Sequence, residues 1–220
     1  MGYLGLLQAH PYAVCWWEKG PSSEPTVVLL VQARHGFSRS LPLAHASATA
    51  IIDGPYGIGH RLEEYDKVLI CANGIGIAAQ LPYIRHILEC HNLQTARVRR
   101  LSVVWQLEKE SHWDWVREYT DEILSMDILK ILNIYFYMPP QSIEEINKRK
   151  SDQLIKQPYT IYRDLDMKEL VTREDGSEAG NMVVSVCGTP SFEKYVRDSV
   201  RSNSRDIRLV NACFQPDEMF

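Results

Sequence analysis

The sequence predicts an α/β fold, in which a doubly wound parallel sheet of about five strands follows a few antiparallel strands. Three observations indicate this class. After Tyr65, continuous apolar segments alternate with amphipathic ones, which is typical of strands buried on both faces and of the helices that cover them. Before Tyr65 the apolar runs are short, end in turn residues, and are too few to close a barrel. The 220 residues, 45% of them apolar, suffice for a large core.

Each element is predicted from an apolar run and from the residues that end it. The predicted antiparallel strands are 13–18, 27–33 and 46–53, and the turn "GPYG" ends the last of them. The predicted parallel strands are 67–72, 100–107, 132–138, 181–188 and 207–214. Three helices are predicted. One follows the glycine bend and ends at about His91, and the others cover 111–126 and 190–203. The polar stretch 141–157 is predicted to be a solvated loop or helix face. This pattern divides the chain into residues 1–60 and 61–220.

Composition excludes several function classes. The net charge is −4 and no long basic run is present, so nucleic-acid binding is not predicted. The five cysteines lie far apart without a C-x-x-C pair, which predicts reduced thiols and neither disulfides nor a metal site. No apolar run approaches the roughly 18 to 20 residues that span a bilayer. We therefore expect a soluble chain without a transmembrane segment.

The stretch "VLICANGIGIAAQLPYIRHIL", residues 68–88, predicts a strand that turns into a helix through a glycine-rich bend. Gly74 and Gly76 allow close backbone approach, and Ala79 completes the G-x-G-x-x-G/A spacing. The amides at the start of the helix favour an anion. These features predict nucleotide binding, with a tight packing turn as the alternative. A P-loop is excluded because no Gly-Lys-Ser/Thr follows.

A second glycine site occurs in "SVCGTPSF", residues 185–192. Here an apolar strand passes through Cys187 and Gly188 into another helix. In a doubly wound sheet this strand end lies near the same crevice as the first bend, so we expect Cys187 to face the ligand. The alternative is a buried, inert thiol.

Several motifs occur together in a specific order: "QAHPYAVCWW", "GFSRSL", "IDGPYG", "VLICANGIGIAAQLPYIRHIL", "VVWQLEKESHWDWVREYTDEIL", "SVCGTPSF" and "FQPDEMF". With them the chain resembles the cytosolic C-terminal part of fungal ferric-chelate reductases, relatives of the NADPH oxidases and the ferredoxin–NADP reductase superfamily. The resemblance implies that NADPH gives hydride to FAD at the cytoplasmic face of a membrane. Electrons would then pass singly through two haems to a ferric chelate outside. Residues 1–60 would be the C-terminal remnant of an FAD-binding barrel, and residues 61–220 the NAD(P)H-binding domain.

The resemblance also implies roles for individual residues. The flavin-contacting motif is matched by His10, Pro11 and Tyr12, and the segment joining the two domains by Gly54, Pro55, Tyr56 and Gly57. The pyrophosphate loop is matched by Ala72, Asn73, Gly74, Ile75, Gly76 and Ile77. Cys187 and Gly188 match the pair beside the nicotinamide, where Cys187 would position C4 of that ring against N5 of the flavin. Phe220 matches the terminal aromatic that stacks on the flavin. Cys187 and Phe220 are thus the predicted catalytic residues.

The chain departs from the family pattern at two places. Where many NADP-dependent relatives carry an arginine for the 2′-phosphate, this chain has Gln106 and Glu108, so NADPH is expected but NADH is possible. Lys109 or Arg163 are candidates for the missing positive charge. The second departure is that only nine residues precede His10, so half of the flavin barrel and the haem-bearing helices are missing. Haem is expected only in a full-length parent or partner.

Two alternative functions follow from these departures. The first is a nucleotide-binding or interaction module without turnover, because the flavin site is incomplete. The second is an ordinary soluble dehydrogenase, and the sequence speaks against its short-chain type, since none of the eleven tyrosines has Lys four residues later. We further expect His35, His45, His60, His86, His91 and His112 on the surface or in loops. One of Trp113 and Trp115 is expected to be buried and the other exposed, and the truncated barrel strands are expected to promote self-association.

Overall fold

The computed structural model describes residues 12–19, 25–33, 37–40, 59–138, 158–161, 163–177, 179–203 and 206–212. An antiparallel hairpin of β1 (Val14–Lys19) and β2 (Pro25–Leu29) precedes a short helix α1 (Phe37–Ser40). The strands of a six-stranded parallel sheet are β3 (Lys67–Asn73), β4 (Arg100–Gln106), β5 (Leu132–Tyr137), β6 (Tyr159–Ile161), β7 (Met182–Cys187) and β8 (Arg208–Asn211). Its helices are α2 (Ile77–Asn92), α3 (Arg117–Met126), α4 (Met167–Ser177) and α5 (Pro190–Arg201). The predicted α/β class is confirmed.

The sheet has the order β6-β5-β4-β3-β7-β8, and each neighbouring pair is parallel. From β3 the chain builds the sheet outward through β4, β5 and β6, and then returns to the other side of β3 for β7 and β8. The direction of winding therefore reverses between β3 and β7. Such a reversal leaves a crevice at the carboxyl ends of the strands, because the connecting helices depart to opposite faces of the sheet.

Alternate residues of β3 enter two separate cores. Val68, Ile70 and Ala72 pack on the face covered by α2 and α3, whereas Leu69 and Cys71 pack on the face covered by α4 and α5. Burial on both faces explains why the strand is a continuous apolar run.

None of the helices within the described ranges is long and apolar enough to cross a membrane.

Among the elements that the sequence did not predict are α1, a 3₁₀ helix at Leu62–Glu64, and, in the parallel-sheet region, β6 and α4. Strand β6 has three residues, too few for a periodic signal. Helix α4 was missed because acidic residues occupy buried positions on it. The carboxylate of Glu174 accepts hydrogen bonds from Arg100 Nε and Ser102 Oγ, both at 2.6 Å. Lys67, 2% exposed, lies with its Nζ 3.1 Å from Asp175 Oδ1. These pairs join α4 to the amino-terminal ends of β3 and β4.

The hairpin docks on α2 and α3 through Trp16, which is fully buried. The Trp16 indole N–H donates to Glu122 Oε2 at 3.2 Å, and its ring centroid lies 5.2 Å from that of Tyr119. The Arg85 guanidinium lies 4.6 Å from the Trp16 ring centroid and 4.3 Å from that of Trp17. The hairpin is therefore an integral part of the described structure.

The hairpin leaves apolar side chains exposed elsewhere. Val14, Val27 and Leu29 are 41%, 49% and 42% exposed. This exposure agrees with the expectation of uncovered barrel strands, and self-association through them stays a prediction. The predicted third antiparallel strand, 46–53, lies outside the described residues.

Three predictions for the segment after β4 are wrong. A 3₁₀ helix covers Glu110–Trp115, and α3 starts at Arg117 rather than at residue 111. His112 is buried, not in a surface position, because its ring stacks on Trp115 with 4.0 Å between the centroids. Trp113 packs against Phe136 at 4.8 Å, so both tryptophans are partly buried instead of one buried and one exposed. The tighter 3₁₀ winding places both rings against the core.

Trp16→Ala should lower the free energy of unfolding by about 3 kcal/mol, because it removes a fully buried ring from the docked hairpin. Urea unfolding followed by far-ultraviolet circular dichroism measures this change. Trp17→Ala is the matched control, since that ring is only half-buried, and should cost about 1 kcal/mol. Equal losses for the two variants would show that Trp16 does not anchor the hairpin.

Stability should fall steeply below about pH 4.3, the ordinary pKa of an unfolded glutamate. Burial raises the pKa of Glu174, but the hydrogen bonds and charges of Arg100, Ser102 and Arg173 outweigh burial and hold it below its usual value. A lowered pKa stabilises the fold above the unfolded pKa, and this contribution is lost as the pH falls. Glu174→Gln should weaken the fold at pH 7 and flatten its acid dependence in urea titrations. The exposed Glu118→Gln should leave that dependence unchanged.

Candidate functional site

The candidate site lies at the carboxyl edge of the sheet, where the winding reverses between β3 and β7. The bend Gly74–Gly76 follows β3 as a single 3₁₀ turn and leads directly into α2. Gly188 follows β7 and leads into α5. Because Ala72 and Cys187 are register partners in the sheet, the two glycine segments begin side by side. The structure thus brings together the two motifs that the sequence singled out.

Glycine is required in both segments because they touch each other. A Cβ on Gly76 would lie 2.2 Å from the carbonyl oxygen and 2.6 Å from the carbonyl carbon of Cys187. A Cβ on Gly188 would lie 2.8 Å from the Cβ of Asn73 and 2.9 Å from Cδ1 of Phe192. No L-residue fits at these distances without a backbone shift. Close packing thus explains the glycine at both positions, and nucleotide binding at the bend stays a prediction.

Gly74 has a different requirement. Its φ is +53°, in the left-handed region that favours glycine, and the space where a Cβ would stand is open apart from Glu108 Oε1 at 3.7 Å. The bend is held from the side by the Trp105 indole N–H, which donates to the Gly74 carbonyl at 2.9 Å. Asn73 Nδ2 also donates to Gln106 Oε1 at 3.3 Å. These bonds fix the bend against the end of β4.

The start of α2 is suited to an anion. Gly76 is its N-cap and no side-chain hydrogen bond caps it. In contrast, at the start of α5 Thr189 Oγ1 accepts from the Phe192 amide at 3.4 Å. The first amides of a helix lack partners within the helix and carry the positive end of its dipole. The bend and the start of α2 are therefore the place where a pyrophosphate is predicted, and the open side of Gly74 leaves room for its approach.

A buried polar pair joins α2 to β7 beneath the site. Ser185 Oγ donates to Gln80 Oε1 at 2.9 Å, and Gln80 is fully buried. Gln80 Nε2 has no hydrogen-bond partner among the described residues. Sequence reasoning missed this pair. The signal for it was a glutamine in the apolar run that follows the glycine bend.

Cys187 is the last residue of β7 and is 1% exposed. It lies two residues after Ser185 and so on the same face of the strand, the face that α2 covers. Its carbonyl contacts the bend at Gly76, as described above. The thiol is thus buried at the edge of the site, and its predicted place beside a nicotinamide stays a prediction.

The remaining thiols and carboxylates form no second reactive centre in the part of the chain that the structure describes. Among the described residues, Cys15, Cys71, Cys90 and Cys187 form no disulfide bond. Burial raises the pKa of Cys15 to about 11, so that thiol is a poor nucleophile. Within the same ranges, no group of three His, Cys, Asp or Glu side chains is placed to hold a metal ion.

The predicted site residues divide into two sets. The structure assembles Ala72, Asn73, Gly74, Ile75, Gly76, Ile77, Cys187 and Gly188 at one edge of the sheet. Tyr12 is described and partly buried just before β1. The other predictions lie outside the described residues: His10, Pro11, Gly54, Pro55, Tyr56, Gly57 and Phe220.

Comparison with known proteins supports a nicotinamide nucleotide site. The family model "Ferric reductase NAD binding domain" matches residues 65–201. The chain is 21% identical over 169 residues to the ferric/cupric reductase transmembrane component 2 of Schizosaccharomyces pombe. This match covers 74% of the chain but 29% of that protein, so the chain spans under a third of the relative's length.

Two solved structures share the fold. One is a NADH-dependent reduced ferredoxin–NADP oxidoreductase, with a TM-score of 0.54 and 15% identity over 92% of this chain and 66% of that one. The other comprises the CS–b5R domains of human Ncb5or in the NAD⁺ form, with a TM-score of 0.59 and 16% identity over 94% and 56%. At these identities the likeness concerns the fold alone.

Gly76→Ala should separate the two glycine segments and lower the free energy of unfolding by about 2 kcal/mol, as overpacking does. It should also weaken binding of nicotinamide nucleotides at least about tenfold, since the amides at the start of α2 would move. Urea unfolding and isothermal titration calorimetry measure the two effects. Gly176→Ala is the control: no atom lies within 4 Å of its added Cβ, and Ala should stabilise α4 by up to about 1 kcal/mol. Unchanged stability and affinity in Gly76→Ala would contradict the described contact.

Proposed function

The chain belongs to the family of ferric reductase NAD-binding domains, and we propose that it passes hydride from NADH or NADPH to FAD during reduction of ferric iron or another metal. The observation that carries the proposal is the contact of the two glycine segments at the winding reversal. It places the start of α2 and the end of β7 at one crevice. A dinucleotide that reaches from one motif to the other would lie along this crevice.

In the proposed complex, the chain binds and orients the nucleotide. The amides of the bend Gly74–Gly76 would donate hydrogen bonds to the pyrophosphate, since the Ile77 amide already donates to the Ile75 carbonyl. Gly188 and the end of β7 would lie beside the nicotinamide, because that strand end borders the bend. Cys187, a small side chain there, would act by positioning and not as an acid or base. The bound nicotinamide and flavin supply the hydride donor and acceptor, so alignment is what the protein must contribute.

The FAD part of the proposal rests on the family resemblance and on the hairpin. His10, Pro11, Tyr12 and Phe220 are the residues proposed to contact the flavin, and of these Tyr12 lies within the described ranges. The docked hairpin places the chain that follows Tyr12 against α2 and α3 through Trp16. A flavin-binding segment would thus be attached to the nucleotide domain by a packed interface, which supports a fixed distance between the two cofactors.

The membrane part of the proposal concerns a larger assembly. The curated relative is a transmembrane reductase component, of which the chain matches 29%. We propose that this domain works at the cytoplasmic face of a membrane, with haem-bearing helices supplied by a longer chain or a partner. The ferric chelate would then be the acceptor at the end of that path, outside the site described here.

A nucleotide-binding module without turnover is the second candidate. The near-complete burial of Cys187 favours it, because a nicotinamide beside β7 needs access to that strand end. In this case the chain would bind the nucleotide and leave the redox chemistry to another protein. The two candidates predict the same affinity for nucleotide but different turnover.

The test is NADH- and NADPH-dependent reduction of ferricyanide by the purified chain, with and without added FAD. We expect turnover that requires FAD. Cys187→Ala should lower kcat about tenfold while the Kd for nucleotide changes less than about twofold, since positioning is lost and binding is not. Cys90→Ala, which changes a partly exposed thiol on α2, is the matched control and should leave kcat unchanged.

The outcomes separate the candidates. Nucleotide binding by a folded chain without turnover, even with FAD, would favour the module without turnover. Absence of binding of both nucleotides by a folded chain would overturn both candidates. Turnover that Cys187→Ala leaves intact would contradict the role of Cys187 alone.

A further inference from the structure

Arg85, in the middle of α2, holds the hairpin by its backbone as well as by its side chains. Its Nη1 donates to the Trp17 carbonyl at 2.6 Å. The same guanidinium lies over the rings of Trp16 and Trp17, as described above. Its Nε donates to Glu89 Oε1, one turn further along α2, at 2.9 Å. The Arg85 side chain is 16% exposed, so neighbouring atoms cover most of it.

This combination of contacts suits an arginine. The guanidinium is planar, so it can stack on aromatic rings while its N–H groups donate at the edge of the plane. A lysine ammonium has three donors but no face that stacks. Because Nη1 binds the carbonyl of Trp17 and not its side chain, the bond fixes the main chain of β1 on α2.

Arg85 lies between the two places where the cofactors are proposed to bind. Along α2 it follows Gly76 of the glycine bend by nine residues, or about 14 Å of helix. Along the other element, Trp17 follows Tyr12 of the flavin-contacting motif by five residues, or at most about 18 Å of extended chain. A helix and a paired strand are regular elements. A shift at Arg85 therefore moves the flavin-contacting motif relative to the glycine bend.

From these contacts we infer that Arg85 is a positioning residue for hydride transfer, an inference that rests on the proposed function. Arg85 acts through Trp17 and β1, and not by contact with the reacting atoms. The hydride passes from C4 of the nicotinamide to N5 of the flavin with both electrons of the C4–H bond, so Arg85 neither gives nor takes a proton. Because a misplacement of about 1 Å can slow such a step about a hundredfold, a loosened hairpin slows it.

The experiment compares two arginine variants of the full chain. Arg85→Lys keeps the charge but loses the planar group that stacks and donates. Arg100→Lys is the matched control, because Arg100 binds Glu174 at the amino-terminal end of the strands, away from the candidate site. Both variants should be less stable in urea, and circular dichroism establishes that both are folded. The Arg85→Lys variant alone should show altered cofactor positioning.

Two readouts report that positioning. The first is the long-wavelength charge-transfer absorbance of the chain with FAD and NADH or NADPH without oxygen, which requires the nicotinamide and flavin rings to stack. Arg85→Lys should lose most of this absorbance. The second is ferricyanide reduction, in which Arg85→Lys should lower kcat at least about tenfold while the Kd for nucleotide changes less than about twofold. Arg100→Lys should keep the absorbance and kcat of the unaltered chain.

Three results would overturn the inference. The first is an Arg85→Lys variant with the absorbance and kcat of the unaltered chain. The second is an equal loss in Arg100→Lys, which would assign the effect to lowered stability. The third is a tenfold weaker nucleotide affinity in Arg85→Lys, which would assign it to binding. The proposed function fails separately: a folded, unaltered chain that binds no nucleotide, or shows neither absorbance nor turnover with FAD, overturns it, and the inference fails with it.

Discussion

The contact between Gly76 and the backbone of Cys187 and Gly188 is the constraint on which the candidate site depends. It brings the segments after β3 and β7 closer than any side chain permits. The glycines commonly regarded as a phosphate-binding signal thus have a packing role first. The proposed anion site would follow from that packing, because the same contact leaves at the crevice a start of α2 whose N-cap, Gly76, has no side chain to bind the first amides. Packing and ligand binding are therefore one requirement in this fold.

The two ends of the sheet are stabilised by different means. At the amino-terminal ends of the strands, charged residues are buried in pairs, with Arg100 against Glu174 and Lys67 against Asp175. Such pairs cost desolvation and specify one arrangement, here the position of α4 on β3 and β4. At the carboxyl ends the contacts are made by glycines, an indole and amides, and two carboxylates lie beside them: Glu193 Oε1 accepts from the Gly188 amide at 3.4 Å, and Glu108 Oε1 lies near Gly74. The charge of the proposed dinucleotide would be met there by backbone amides.

The hairpin is fixed to the domain that contains the parallel sheet. Trp16 packs between Arg85 of α2 and the side chains of Tyr119 and Glu122 on α3. The antiparallel strands are therefore held against the domain of the parallel sheet. Val14, Val27 and Leu29 of the hairpin stay exposed, and such apolar strand surfaces favour contact with other strands. The family match over residues 65–201 and the short share of the relative that is covered agree with a domain that works within such an assembly.

The sequence by itself determined the α/β class, the buried parallel strands and the two glycine motifs, because continuous apolar runs and glycine spacing are local signals. It did not reveal β6, which is too short to show a pattern, or α4, whose buried acids gain their partners from β3 and β4. Only the tertiary structure decided that Gly76 faces Cys187, that Ser185 binds Gln80 and that Glu108 borders Gly74. Each of these pairs joins residues more than thirty positions apart, and their meeting depends on the order of strands. That order is set by packing over the whole sheet, which no local pattern encodes.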